Sequence, residues 1–392
     1  NILYSSYFDY FLSVDSYSIS LIISIITGIF FYFYGKDANK KINFYEKIVI
    51  IILVYFISSL LISIPYYLSN YQIPFINSLF EAFSGITGTG FSIFSNIKFL
   101  DPTLILWRSS SQWIGGLFFL IFLIQFFSNS QFNYKLNNLV DNSEKNKNNE
   151  LKINSISLKI FLIYLSLSFL IFALFSLSGV RLLNSLNLSM TLISNGGFLP
   201  TNNLFQIIST GLQESILIIS FILLFLNIYL IFNIFNKKDN FRNHYEDFYL
   251  FLIFIFFSII LLIFIKDMNV TKSLINVLSS LSNSGITNYE YSDKLSLFFL
   301  FMTLIGGSIL SNSSGIKFLR FYILLKTTSI EIMRLVKPNM IIKNNIFNSE
   351  KIITSDDVKM SFFIFISFFL SIFILSGILL LDNINFENSF KL

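Results

Sequence analysis

Apolar residues in this chain gather into long unbroken runs, without the alternation of a half-buried strand. The runs 18–34, 48–68, 103–128, 158–177, 212–235, 248–265 and 361–381 each read as a helix crossing a bilayer, which takes roughly 20 apolar residues. Residues 1–15 read as an amphipathic or irregular lead-in. A further run, 295–305, breaks at Gly306–Gly315, resumes over 316–325, and is followed by a short surface helix, Glu331–Lys337, stopped by Pro338. Between the spans lie three apolar stretches too short to cross: one from Pro74 to Ser92, one from Asn184 to Phe198 and one from Thr271 to Ile286. Each ends in glycines and small polar residues, so each is expected to enter the membrane and turn back.

The three short stretches share a register. Ser78 stands twelve residues before Gly90, Ser185 twelve before Gly197, and Ser273 twelve before Gly285. An internal repeat of this kind governs the fold. A fourth copy starts at Phe386–Phe390, and its glycine falls beyond Leu392; with Asn1 at the other end, the chain is expected to be truncated at both termini. The expected fold is an all-α polytopic membrane protein built from parallel repeats of span, re-entrant pore helix and span. Its divisions are a lead-in and extra span (1–46), repeats at 47–128, 157–236 and 247–328, the last with a broken second helix, and a partial repeat at 357–392.

Composition narrows the function. Charged residues are 12% and hydrophobic ones 54%, with mean hydropathy +0.70, where soluble domains carry about 25% charge. More than half of the 16 glycines fall in four short stretches, so their placement is informative. Without cysteine there is no disulfide or thiolate chemistry. The single histidine, His244, reads as a solvated loop residue beside Arg242 and Glu246, and no cluster suits a membrane enzyme. Most of the 27 Lys and Arg residues lie in the loops 35–47, 129–159, 237–247 and 317–359, which puts those loops in the cytoplasm and opens the glycine loops to the outside.

Irregular backbone at membrane depth is tolerated where it is enclosed by protein or lines a watery path. Its carbonyls can then replace the hydration shell of a cation. The candidate ligands are the carbonyls of Thr87, Gly88, Thr89 and Gly90, of Ser194, Asn195, Gly196 and Gly197, and of Ser282, Asn283, Ser284 and Gly285. Two plainer readings stand beside this: each glycine as a helix cap, and the threonines bonding back to their own helix. The broken segment, with Gly306, Gly307, Gly315 and Lys317, reads as a gate, with Lys317 setting a positive charge near the path. Arg108 is either a snorkelling residue at the interface or a functional intramembrane charge. The alternative is a secondary transporter of another cation (Na⁺) or of a small solute.

The order of these parts resembles the Trk/Ktr/HKT superfamily of potassium transporters. Leu106–Gly116 looks like that family's helix after the first filter, Ile305–Lys317 like its intramembrane gate loop, and Glu331–Asn339 like the cytoplasmic helix that follows. The extra first span points to the Trk (TrkH-like) branch. The gate loop departs from the family in carrying fewer glycines, and the third filter has Ser282–Asn283–Ser284 where threonine is usual. The resemblance implies a pseudo-fourfold pore in the cytoplasmic membrane that takes up K⁺ as its transported ion and discriminates against Na⁺. It also implies a homodimer on cytosolic nucleotide-binding regulatory subunits, with lipid around it, no prosthetic group and no nucleic-acid partner. The loops 237–247 and 317–359 are candidate docking surfaces.

Overall fold

The computed structural model describes residues 1–7, 11–36, 42–127, 149–228, 230, 244–264, 269–286, 295–337, 344–347, 352–382, 384–385 and 389. Five of the described helices are long and apolar enough to cross a membrane: 14–35, 45–67, 156–177, 245–264 and 355–381. The chain forms two compact units, one of residues 1–136, 140–220 and 284–286, the other of 137–139, 221–283 and 287–392.

In the first unit α1 (Ile2–Tyr7) and α2 (Phe11–Gly35) are helical, so the described part of the lead-in is helical and the helix that carries the first span begins at Phe11. Helix α3 (Phe44–Tyr67) starts on a capping box in which the Glu46 carboxylate accepts Asn43 N at 2.8 Å. The first short stretch is α4 (Phe75–Thr87), 13 residues long. At 1.5 Å per residue it is about 20 Å, well under the roughly 30 Å of a hydrocarbon core. Helix α5 (Pro102–Phe127) has 26 residues, and its polar run Arg108–Gln112 faces protein rather than lipid. Then come α6 (Asn149–Leu177) and α7 (Leu182–Ser194), the second 13-residue helix.

Helix α5 is the common seat of both short helices. A Cβ on Gly115 would lie 1.9 Å from Ile86 O of α4, and one on Gly116 would lie 2.9 Å from Ser194 Cα of α7. Only glycine at two successive positions lets α5 touch the C-terminal ends of both helices at backbone distance. Around this seat Trp107 Nε1 donates to Ile62 O at 3.1 Å, Tyr164 OH to Trp113 O at 3.0 Å, and Trp113 Nε1 to Ser168 Oγ at 2.9 Å. The aromatic polar tips thus find partners where the rings are packed.

Helix α8 (Gly211–Phe225) is apolar but breaks after Phe225, inside the expected run to Phe235, whose residues 229 and 231–235 lie outside the described residues. The backbone beyond its end is diverted within the second unit: Phe225 O accepts Ser308 N at 3.2 Å, Asn227 N donates to Asp247 Oδ1 at 3.0 Å, and Ile228 N donates to Leu310 O at 3.0 Å. Groups that would extend the helix are spent on the broken segment and on Asp247 instead. Helices α9 (Tyr245–Phe264), α10 (Val270–Ser282, again 13 residues) and α11 (Ser296–Leu304) follow.

Helix α11 stops at the expected break. There β1 (Ile305–Gly306) pairs in parallel with β2 (Ile316–Lys317), a small extended element in a fold read as all-α. The pair closes the loop 307–315 at its neck. Beyond it α12 runs unbroken from Phe318 to Val336, so the resumed span and the short surface helix are one helix. Last is α13 (Ser355–Leu381), whose N-cap Thr354 and Asp357 form a capping box. Of the suspected fourth copy only Ser389 is described.

Candidate functional site

The three 13-residue helices end alike. Gly88 (φ 70°), Asn195 (φ 58°) and Asn283 (φ 60°) cap α4, α7 and α10 in the left-handed region. Their N–H groups bond back to Gly85 O, Leu192 O and Ser280 O at 3.1, 2.8 and 3.2 Å. Two residues on, Gly90 (φ 82°), Gly197 (φ 80°) and Gly285 (φ 67°) are left-handed again. The cap and the register glycine are therefore different residues, and the plain cap reading fits Gly88, Asn195 and Asn283 but not the second set.

Within the first unit these loops interlock. A Cβ on Gly90 would lie 2.7 Å from Gly196 O, and one on Gly197 would lie 2.6 Å from Ser284 O. Gly196 and Ser284 hold the same register position in successive loops, so one contact is made twice. Glycine is required at 90 and 197 on two counts, the sign of φ and the carbonyl against its Cα. The first two loops are also tied to their own helices: Ser84 Oγ donates to Phe91 O at 2.5 Å, and Thr191 Oγ1 to Phe198 O at 2.7 Å, again at matching positions.

Other expected ligands have partners of their own. The carbonyl of Gly196 accepts the Gln112 amide, and Gln112 Oε1 accepts Phe198 N at 3.1 Å. That leaves Gly196 O one lone pair for an ion. The Thr87 hydroxyl does bond back, to Phe83 O at 2.6 Å, and meets the Thr89 hydroxyl at 2.7 Å. The carbonyls of Gly88, Ser194 and Gly197 belong to the same interlocked loops. In the second unit Asn283 Nδ2 donates to Thr303 O at 2.9 Å, and Gly315 packs against the same atoms. The third helix's cap and the broken segment thus touch each other. Ser282 is buried on α10 just before that cap, and Gly285 has open space where a Cβ would stand.

Arg108 does not snorkel. It is 1% exposed, and its Nε lies 2.8 Å from Oε1 of the fully buried Glu81 on α4. The guanidinium also donates to Ser92 Oγ at 2.9 Å and lies 4.2 Å from the Phe198 ring centre. Glu81 accepts Ser92 Oγ at 3.0 Å and Ile93 N at 2.9 Å. One buried ion pair therefore braces the exit of the first loop and leans on a ring of the second. Sequence reasoning passed over Glu81 and Gln112. The available signal was a lone carboxylate in a short apolar helix, since an intramembrane charge needs a partner.

Lys317 does not project from the loop. Its Nζ turns back to Ser311 O at 2.8 Å and Ser313 O at 2.6 Å. Gly306 and Gly307 pass where a Cβ would strike Ser314 O at 2.5 Å and Phe225 O at 2.4 Å. His244 is buried, not solvated: its Nδ1 lies 3.0 Å from Asp247 Oδ2, while Glu246 Oε1 accepts Ile309 N at 3.2 Å. Glu246 thus anchors the broken segment, while Asp247 holds His244 and the backbone of Asn227. Of the candidate docking loops, 237–243, 338–343 and 348–351 lie outside the described residues, and Lys337 stands at the end of α12. Among the described residues there is no group of three or more His, Cys, Asp or Glu able to hold a metal ion.

Comparison with known proteins gives a consistent picture. Residues 15–229 match the model of one family, TrkH, described as a cation transport protein. An uncharacterized cation transporter of Methanocaldococcus jannaschii is 29% identical over 333 residues, 80% of this chain and 67% of that protein. The Trk system potassium uptake protein TrkG of Escherichia coli is 23% identical over 346 residues, 82% of this chain and 71% of its own. The crystal structure of the potassium transporter TrkH from Vibrio parahaemolyticus matches with a TM-score of 0.78 at 18% identity, over 96% of this chain and 81% of that one, a likeness of fold.

Proposed function

The chain belongs to the TrkH family of cation transport proteins, and from that premise we propose that it takes up K⁺ through a pore lined by the carbonyls of its three glycine loops. It is a multi-pass protein of the plasma membrane and a transporter, not an enzyme. The observation that carries the ion path is the paired left-handed geometry at 88 and 90, 195 and 197, 283 and 285. Two such residues in three successive positions turn peptide groups out of the helical direction, which is what a carbonyl-lined filter needs. Interlocking at Gly90 and Gly197 supports the same reading, because it holds neighbouring loops at a fixed spacing.

In this reading the loops are parallel repeats around a pseudo-fourfold axis. The Gly306–Gly315 segment is the gate, and the assembly is a homodimer with a cytosolic nucleotide-binding regulatory subunit. Potassium is favoured over sodium because glycine, not serine, stands at the register position of each visible loop. The test is rubidium uptake into cells lacking their own potassium uptake, with sodium and potassium as competitors. Uptake blocked by K⁺ and not by equal Na⁺ supports the proposal; equal block assigns a different cation. Gly90→Ser is expected to bring the two closer to parity, and unchanged competition in that variant would remove Gly90 from the filter.

A further inference from the structure

Four oxygen atoms of the Gly306–Gly315 loop converge on one nitrogen. Lys317 Nζ is 2.8 Å from Ser311 O, 2.6 Å from Ser313 O, 3.3 Å from Ser311 Oγ and 3.5 Å from Ser313 Oγ. The hydroxyl protons can be placed by elimination. Ser311 Oγ donates its one proton to Ser308 O at 2.6 Å, so the 2.8 Å contact between the two hydroxyls must use the proton of Ser313. Ser313 Oγ in turn accepts Gly307 N at 2.8 Å. With both protons spent elsewhere, all four oxygens face Nζ as acceptors.

That is the arrangement of an oxygen cage for a cation. Carbonyls and hydroxyls without a carboxylate among the four suit a singly charged hard ion rather than Ca²⁺, which gathers carboxylates, or a soft metal. Glu246, anchored on Ile309 N at 3.2 Å, supplies an electrostatic attraction to Lys317 from outside the cage. Lysine presents a compact point charge on a flexible stem, the side-chain head that can take the place of such an ion.

We propose that the gate loop is a binding site for a small monovalent cation, and that in the closed loop the chain's own Lys317 fills it as a tethered substitute. The proposal deepens the gate reading above and rests on it. A free cation and the lysine head compete for the same oxygens. When the ion wins, Lys317 leaves, and the neck at Gly306–Lys317 and the start of α12 lose the contact that pins them to Ser311 and Ser313. The transported ion thereby loosens its own gate.

The test uses the full chain purified in detergent and reconstituted in vesicles. The reactivity of the Lys317 amine toward acetic anhydride, read by mass spectrometry, is measured in KCl and in choline chloride at equal ionic strength. Potassium is expected to raise labelling in a saturable way, and choline is not. Labelling that ignores K⁺ overturns the proposal. In parallel, Lys317→Gln empties the cage. It is expected to gain a K⁺-dependent rise in melting temperature beyond that of the unaltered protein and to raise flux about tenfold, the equivalent of one charge-assisted hydrogen bond. Lys317→Arg keeps the charge on a planar fork too broad for the cage, and should share the flux gain. Higher flux with K⁺-independent labelling leaves the gate and removes the cation site; K⁺-dependent labelling with unchanged flux keeps the site and removes the gate.

Discussion

Arg108 and Glu81 place full charges where the solvent is protein, and the pair is tolerable because each partner also holds hydrogen bonds. Removing one partner of such a pair costs about 3–5 kcal/mol, because it strands the other charge. Glu81→Gln keeps the shape and deletes the charge, so it is expected to lower the melting temperature and to loosen ion discrimination, since Ser92 and Ile93 lose their anchor. Arg108→Lys retains a cation without the fork that reaches both Glu81 and Ser92, and should recover stability in part but not selectivity. Competition assays on both variants check this; selectivity intact in Glu81→Gln would reduce the pair to a packing role. The charge also explains a limit of sequence reading. Glu81 and Arg108 are 27 residues apart in different helices, and no periodicity links them.

At the scale of elements, helix α5 holds the first two loops by contact with both short helices at once. Gly115→Ala would drive a methyl into Ile86 O, which lies 1.9 Å from the Cβ position and belongs to backbone. A rigid obstacle of this kind costs at least the roughly 1–3 kcal/mol of core overpacking. The measurable outcome is a lower melting temperature in detergent than for Gly28→Ala, where a Cβ meets open space. The short helices themselves were legible because glycine is scarce in this chain and the serine-to-glycine spacing repeats. The end of α8 was not. Nothing in the apolar run 212–235 signals that Phe225 O, Asn227 N and Ile228 N are claimed by residues twenty to eighty-odd positions further on. Asp247, which accepts Asn227 N, also holds His244 three residues before it, and the expected surface residue is buried.

For the molecule as a whole, the multi-span helical architecture was readable from composition and run length, since lipid demands apolar residues on every outward face. What composition cannot carry is assembly. The proposed regulatory subunit is tested by Lys337→Glu at the exposed end of α12, with co-purification from gently solubilised membranes as the readout. Reduced recovery of the partner, with uptake itself retained, is the expected result; unchanged recovery takes this helix end out of the docking surface.

The interlock at Gly90 and Gly197 has a direction. Position 90 of the first loop abuts a carbonyl of the second, and position 197 of the second abuts a carbonyl of the third. Loops joined this way behave like overlapping shingles: a bulge under one lifts its neighbour on one side only. Compensating mutations for a damaged Gly90 should therefore arise around Gly196, and those for a damaged Gly197 around Ser284. A selection for restored potassium-dependent growth would show whether repair runs along the chain in that single sense.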